Sequence, residues 1–275
     1  MSVEKKVKRN KSNKKQIFKI AKILFLIAFF VIVGIMIRDK VVENRAQKQF
    51  EELQQPVVET VETEASTEAD PLVEMGIVVP EKNLNWDELK KTNEHIYAWI
   101  YIPNTNVDYP VLQHPTDDRY YLDYNLDGTK GYPGCIYSEH RYNSTDFMDF
   151  NTLLSGHNMK NGTMFKTLHY FEDRGFFEEN RYMYVYTLDE VYVYDIFAAY
   201  ENQAQHILVV YDNETDTGRQ QYLNDLFGIR NMSAHFRDGV EVTTDSKILT
   251  LVTCTNNSNT RYFVQGVMVN EVGEE

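Results

Sequence analysis

Residues 23–37 read ILFLIAFFVIVGIMI and contain no charged side chain. Extended back to Ile17, the apolar stretch covers residues 17–37 and is interrupted only by Lys19 and Lys22, near its N-terminal end. A bilayer-spanning helix needs about 20 apolar residues, because every backbone polar group must be satisfied within the segment. Lysines near one end reach the interface by snorkelling. Such a segment separates a short N-terminal portion from a long C-terminal body. Residues 1–40 hold eleven Lys or Arg against Glu4 and Asp39, a net +9, whereas the whole chain carries −13, so the remainder is strongly acidic. Positive charge ahead of the span predicts a cytoplasmic N-terminus and a body outside the cell. Arg38-Asp39-Lys40 comes directly after the span, without the small-x-small pattern of a cleavage site, so the segment reads as a retained anchor. The acidic body excludes nucleic acid as a partner, since phosphate binding needs a basic surface.

This divides the chain into a basic cytoplasmic tail (1–16), a transmembrane signal-anchor helix (17–37), an acidic mobile spacer (38–80) and a folded domain (81–275). Residues 57–71, VVETVETEASTEADP, are rich in Glu and Thr and lack aromatics. Such a stretch buries too little apolar area to offset the entropy of ordering. Residues 38–52 extend the membrane helix by a few turns. In the folded domain, Asn85 and Glu88 form the start signal of a helix over 86–97. Strand signals then dominate, with β-branched and aromatic residues over 98–102, 107–112, 135–137, 152–155, 181–187, 191–200, 247–253 and 262–270. The short Leu188-Asp189-Glu190 connection predicts a hairpin. Helical insertions are expected over 116–124, capped by Thr116, and over 163–179 and 216–227. The fold class is therefore mostly β: a closed eight-stranded β-barrel with short helical insertions, preceded by a single transmembrane helix.

Chemistry concentrates at two strand ends. The chain has two cysteines, Cys135 and Cys254, and seven histidines. Thr250-Leu251-Val252-Thr253-Cys254 is an apolar strand ending on a thiol, followed at once by polar residues and then by Arg261. If the strands on either side of that loop are antiparallel neighbours, the guanidinium lies near the sulfur and favours the reactive thiolate. Leu153-Leu154-Ser155-Gly156-His157 ends a second apolar strand on a histidine, with Gly156 permitting close backbone approach. The other six histidines, His169 among them, read as structural or solvent-facing. Cys135, in Gly134-Cys135-Ile136-Tyr137, reads as a core thiol. Asp123-Tyr124-Asn125-Leu126-Asp127-Gly128 matches the opening of a calcium loop, but Gly134 stands where the closing Glu should be, so a turn is expected and no metal site. The residues alone leave open another cell-wall cysteine peptidase and a non-catalytic anchored scaffold or adhesin. Papain-like peptidases place cysteine before histidine, the reverse of the order here, and no histidine adjoins Cys254 as in L,D-transpeptidases.

These stretches carry a family resemblance. Thr250 to Cys254 resembles the T-L-x-T-C signature of sortases. Gly156-His157-Asn158-Met159 with Asn161-Gly162-Thr163-Met164-Phe165 is similar to the histidine region of class B sortases. Trp99-Ile100 with Asn104-Thr105-Asn106-Val107-Asp108-Tyr109-Pro110-Val111 resembles the early strands of that class, and the helical 216–227 insertion fits it as well. The resemblance covers residues 81–271. It implies a sortase-type barrel and a cysteine transpeptidase whose catalytic trio is His157, Cys254 and Arg261, with Thr253 and Asn158 contacting substrate. It implies surface-protein substrates bearing a C-terminal sorting motif, of the N-P-x-T kind, cleaved after Thr. The acyl group would pass to an amine of a peptidoglycan precursor or a pilin. It also implies no cofactor, and a place in the Gram-positive envelope.

Overall fold

A computed structural model describes residues 3–54, 72 and 75–270, with side chains from residue 16 onward. Helix α1 (Val3–Leu53) contains the apolar segment. Its side chains from Ile17 to Ile37 are largely exposed, as a lipid-facing surface requires. Among the described residues it is the one helix long and apolar enough to cross a membrane. The chain divides into two compact units, Met1–Arg45 and Ala46–Glu275. The second unit begins well ahead of residue 81, where sequence puts the edge of the folded domain. Phe50 is fully buried within it, against Tyr109, and Ile77 is buried too. The 57–71 stretch expected to be mobile lies outside the described residues.

The second unit contains α2 (Trp86–Thr92), β1 (Ile96–Tyr101), β2 (Asp108–Gln113), α3 (Tyr120–Asp123), β3 (Ile136–Ser138) and β4 (Asn151–Ser155). A 3₁₀ segment (Phe165–Glu172) and α4 (Arg174–Glu179) lead to β5 (Tyr182–Tyr186) and β6 (Val191–Gln203). Then come α5 (Ile207–Val210), α6 (Asp216–Phe227), β7 (His235–Phe236), β8 (Ile248–Cys254) and β9 (Thr260–Met268). The strand order β5-β1-β2-β3-β4-β8-β9-β6 closes through a β5–β6 pairing into an eight-stranded barrel. β7 is a ninth, two-residue strand added outside the ring, on β6.

Three expected helices take a different form. The 86–97 helix stops at Asn93, where the backbone turns extended and Ile96 pairs with Leu112, so sheet formation overrides helical propensity. The 116–124 helix is a single turn without a side-chain cap. The N–H groups of Thr116 and Asp117 donate instead to His114 Nδ1. The 163–179 helix is two pieces, because Asp173 leaves helical geometry and caps α4 by accepting from the Phe176 N–H at 2.8 Å.

Period-2 alternation sorts the strand residues into two cores. Leu249 and Leu251 of β8, with Tyr262 and Val264 of β9, fill the barrel interior. Ile248 of β8 and Phe263 and Val267 of β9 face outward, under Tyr222, Leu223 and Leu226 of α6. A buried polar relay ties this layer together. Gln265 donates to Tyr222 and to Thr250, and the Thr250 hydroxyl donates to Asn151 Oδ1 at 2.7 Å.

Candidate active site

Strand direction builds the site. β4 and β8 are parallel, with Ser155 opposite Val252 as the last registered pair. His157 and Cys254 each lie two residues beyond that pair, so both leave the same end of the barrel. β8 and β9 are antiparallel, and Cys254 pairs directly with Arg261. Side chains of directly opposed residues share a face of the sheet, so the Cys254 and Arg261 side chains leave β8 and β9 on the same face. Cys254 continues the outward series Ile248, Thr250, Val252, which leaves it half-buried rather than in the core. His157, Cys254 and Arg261 thus converge at one rim of the barrel.

The partners of each are definite. His157 Nε2 lies 2.8 Å from the Leu122 carbonyl, and Tyr132 packs edge-on against the ring at 5.0 Å. A carbonyl only accepts, so this contact puts a proton on Nε2. Arg261 Nη1 donates to the carbonyls of Ser258 (3.2 Å) and Thr260 (2.8 Å), which folds the β8–β9 loop around its base. Gly156 brings the β4 end close to the wall. A Cβ there would stand 2.5 Å from Ile136 Cδ1 and 2.7 Å from Phe165 Cδ2, inside any tolerable contact.

Thr253 and Asn158 take up specific internal positions. Thr253 belongs to the inward series with Leu249 and Leu251. It is buried, and its hydroxyl donates to the Gly156 carbonyl at 2.8 Å. Asn158 Nδ2 donates to the carbonyl of Cys254 itself at 2.6 Å. Both side chains brace the two strand ends against each other. His169, read from sequence as structural, is also here: its Nε2 lies 3.0 Å from the same Cys254 carbonyl. Neither a strand end nor a motif marks it, because the 3₁₀ segment carries it across the barrel rim.

Cys135 and Cys254 are both free. Cys135 is buried, its thiol pushed well above the usual range by burial, as a core thiol should be. In the 123–128 turn, Asp127 accepts from the Thr129 N–H and hydroxyl, and Asn125 accepts from the Gly134 N–H. Those side chains are spent on closing the turn.

A family model described as a sortase domain matches residues 100–269. Sortase B of Listeria monocytogenes is 31% identical over 186 residues, covering 66% of this chain and 73% of its own. The solved sortase B of Clostridium perfringens superposes with a TM-score of 0.59 at 29% identity, covering 67% of this chain and 99% of that one. A sortase B solved in complex with triglycine gives a TM-score of 0.59 at 26% identity, covering 68% of this chain and 86% of that one. With the fold, the family match and these relatives in agreement, the chain belongs to the sortase family, in class B, and is a cysteine transpeptidase.

Proposed function

We propose that this sortase cuts a C-terminal sorting motif of the N-P-x-T kind after its Thr and passes the acyl group to an amine of the cell-wall precursor. The observation that carries the reading is the Cys254–Arg261 pair across β8 and β9, next to the β4 end that bears His157. Cys254 sulfur attacks the Thr carbonyl carbon, and the carbonyl π pair moves to oxygen. Arg261 stands beside that developing charge. Among the described residues its Nε and Nη2 have no hydrogen-bond partner, so both can donate to substrate. His157 gives a proton to the departing amine as the C–N bond breaks, and later takes one from the incoming amine. The thioacyl intermediate needs no cofactor. A sortase B complexed with triglycine supports an oligoglycine-type amine as the acceptor class, ahead of a pilin lysine.

The test uses the full-length protein in detergent with quenched peptides carrying N-P-x-T, S-P-x-T and L-P-x-T motifs, with and without triglycine. Cleavage after Thr is expected, with a triglycine-ligated product by mass spectrometry. Cys254→Ala should abolish it, and Arg261→Ala should lower kcat about 10²–10³-fold. If no peptide is cut and no acyl adduct forms on Cys254, the proposed reaction is wrong, and a non-catalytic anchored scaffold takes its place.

The same reading puts the basic N-terminus in the cytoplasm and the barrel outside. A membrane-impermeant maleimide added to intact protoplasts should label Cys254. Labelling only after lysis would reverse the orientation.

A further inference from the structure

Two side chains converge on the carbonyl of Cys254, Asn158 Nδ2 at 2.6 Å and His169 Nε2 at 3.0 Å. The two nitrogens are 3.1 Å apart, so the three atoms form a nearly equilateral triangle. The N–H bonds of one amide diverge too widely to serve both other corners. A carbonyl oxygen has two lone pairs and accepts from both nitrogens. The other ring nitrogen of His169, Nδ1, is 2.5 Å from Glu172 Oε1. A carbonyl only accepts, so the contact to Cys254 puts a proton on Nε2. The ring is also held in place. It stacks on Tyr262 at 5.0 Å and 25°, and the Glu172 carbonyl accepts from His235 on β7 at 2.9 Å.

Strand geometry shows what such a clamp accomplishes. The Gly156 N–H donates to the Val252 carbonyl at 3.2 Å, so at Val252 the β8 backbone faces β4. Two residues on, the Cys254 carbonyl points to the same side, toward Asn158 and His169. The peptide joining Cys254 to Thr255 is planar and trans, so its N–H points the opposite way. That way lies β9, where Arg261 stands across from Cys254. Fixing the Cys254 carbonyl therefore fixes the aim of the Thr255 N–H beside Arg261.

We propose that His169, buttressed by Glu172 and working with Asn158, is a positioning residue that holds the Thr255 N–H as a preorganised donor to the acyl oxygen. This rests on Cys254 being the nucleophile. As the S–C bond forms, the carbonyl π pair moves onto oxygen, and the Thr255 N–H and Arg261 meet that charge. When the C=O re-forms, the leaving group departs with the bonding pair. His169 meets Cys254 at its backbone carbonyl and acts through the peptide plane.

The test separates reactions of the same thiol with and without an oxyanion, in full-length protein in detergent. p-Nitrophenyl acetate acetylates the thiol through a tetrahedral oxyanion and releases nitrophenolate. Iodoacetamide alkylates it by displacing iodide at a saturated carbon, with no oxyanion. Cys254→Ala should remove both labels; a label that survives there sinks the nucleophile assignment, and the inference with it. His169→Phe keeps the stacking on Tyr262 and deletes the donors. Its acetylation rate should fall about tenfold or more, with alkylation unchanged within twofold. His169→Gln restores an amide donor and should recover most of the loss. If both rates fall together, His169 acts on the thiolate and the proposal fails; unchanged acetylation defeats it as well. Should His169→Phe not fold, Glu172→Gln carries the test, its side chain being 49% exposed. A threefold drop in the acetylation-to-alkylation ratio is expected there, and no change overturns the proposal.

Discussion

At the scale of single residues, burial separates two thiols that sequence distinguishes only by context. Cys254 is half-buried at a strand end; Cys135 is buried, and its thiol is held in the neutral form. Iodoacetamide should therefore modify one equivalent in the native protein, at Cys254, and a second only after unfolding. Two equivalents at equal rates would contradict the burial of Cys135. Gly156 supplies a second prediction. Its missing Cβ leaves Ile136 and Phe165 in contact range of the backbone, so Gly156→Ala should cost about 1–3 kcal/mol. Thermal denaturation reads this as a lowered Tm, and the displaced His157 should lower peptide cleavage in parallel. The placement of His157, Cys254 and Arg261 was legible: the first two stand where an apolar run gives way to polar sequence, and Arg261 where the polar loop gives way to the next strand. Alternation along β8 also contained the position of Thr253, since Leu249, Leu251 and Thr253 have one parity and Cys254 the other. His169 was not legible. Its role depends on a 3₁₀ segment crossing the end of a strand 85 positions away, which no local pattern encodes.

Among the elements, one helix matched its expected bounds. α6 runs over Asp216–Phe227 as expected, with the Thr215 side chain accepting from the Gly218 N–H and Tyr222, Leu223 and Leu226 facing the sheet. Thr215→Ala should cost about 1 kcal/mol, read as a fall of about 2–4 °C in Tm for a domain of this size. An unchanged Tm would mean that packing alone holds the helix. The β5–β6 hairpin was legible from its short polar connection, and Thr187 and Glu190 close it through a backbone bond of 2.8 Å. Helix boundaries failed wherever a tertiary partner intervened. Ile96 left its expected helix for the sheet, and Asp173 divided a Phe- and Leu-rich run that periodicity joins. In both places the deciding contact is distant or a single cap, and an average over a window of residues smooths it away.

On the scale of the whole molecule, the start of the folded unit was hidden. Ala46 and Phe50 are two apolar residues one helical turn apart among Gln47, Lys48, Gln49, Glu51 and Glu52, and in sequence they read as part of a polar spacer. In the structure they belong to the barrel's unit and are 2% and 0% exposed. The Phe50 ring meets Tyr109 edge-on at 5.4 Å, and Gln54 donates to the Asp108 carbonyl at 2.8 Å. The Asp108 carboxylate accepts from Trp99 Nε1 at 2.6 Å and pairs with Lys82, whose side chain is fully buried. Beyond them, Tyr184 and Tyr186 donate to the carbonyls of Val78 and Pro80. Residues 46–54 and 75–80 therefore pack on β2 and β5 instead of merely tethering the barrel. Phe50→Ala should cost about 3–5 kcal/mol, the usual penalty for emptying a buried aromatic site. A protein shortened to residues 81–275 loses Phe50, Gln54 and the Val78 and Pro80 carbonyls together. Scanning calorimetry should find that it melts well below one spanning 46–275, and that Phe50→Ala in the longer protein recovers part of the difference. Equal melting of the two shortened forms would make residues 46–80 a tether after all, and would move the edge of the folding unit back to residue 81.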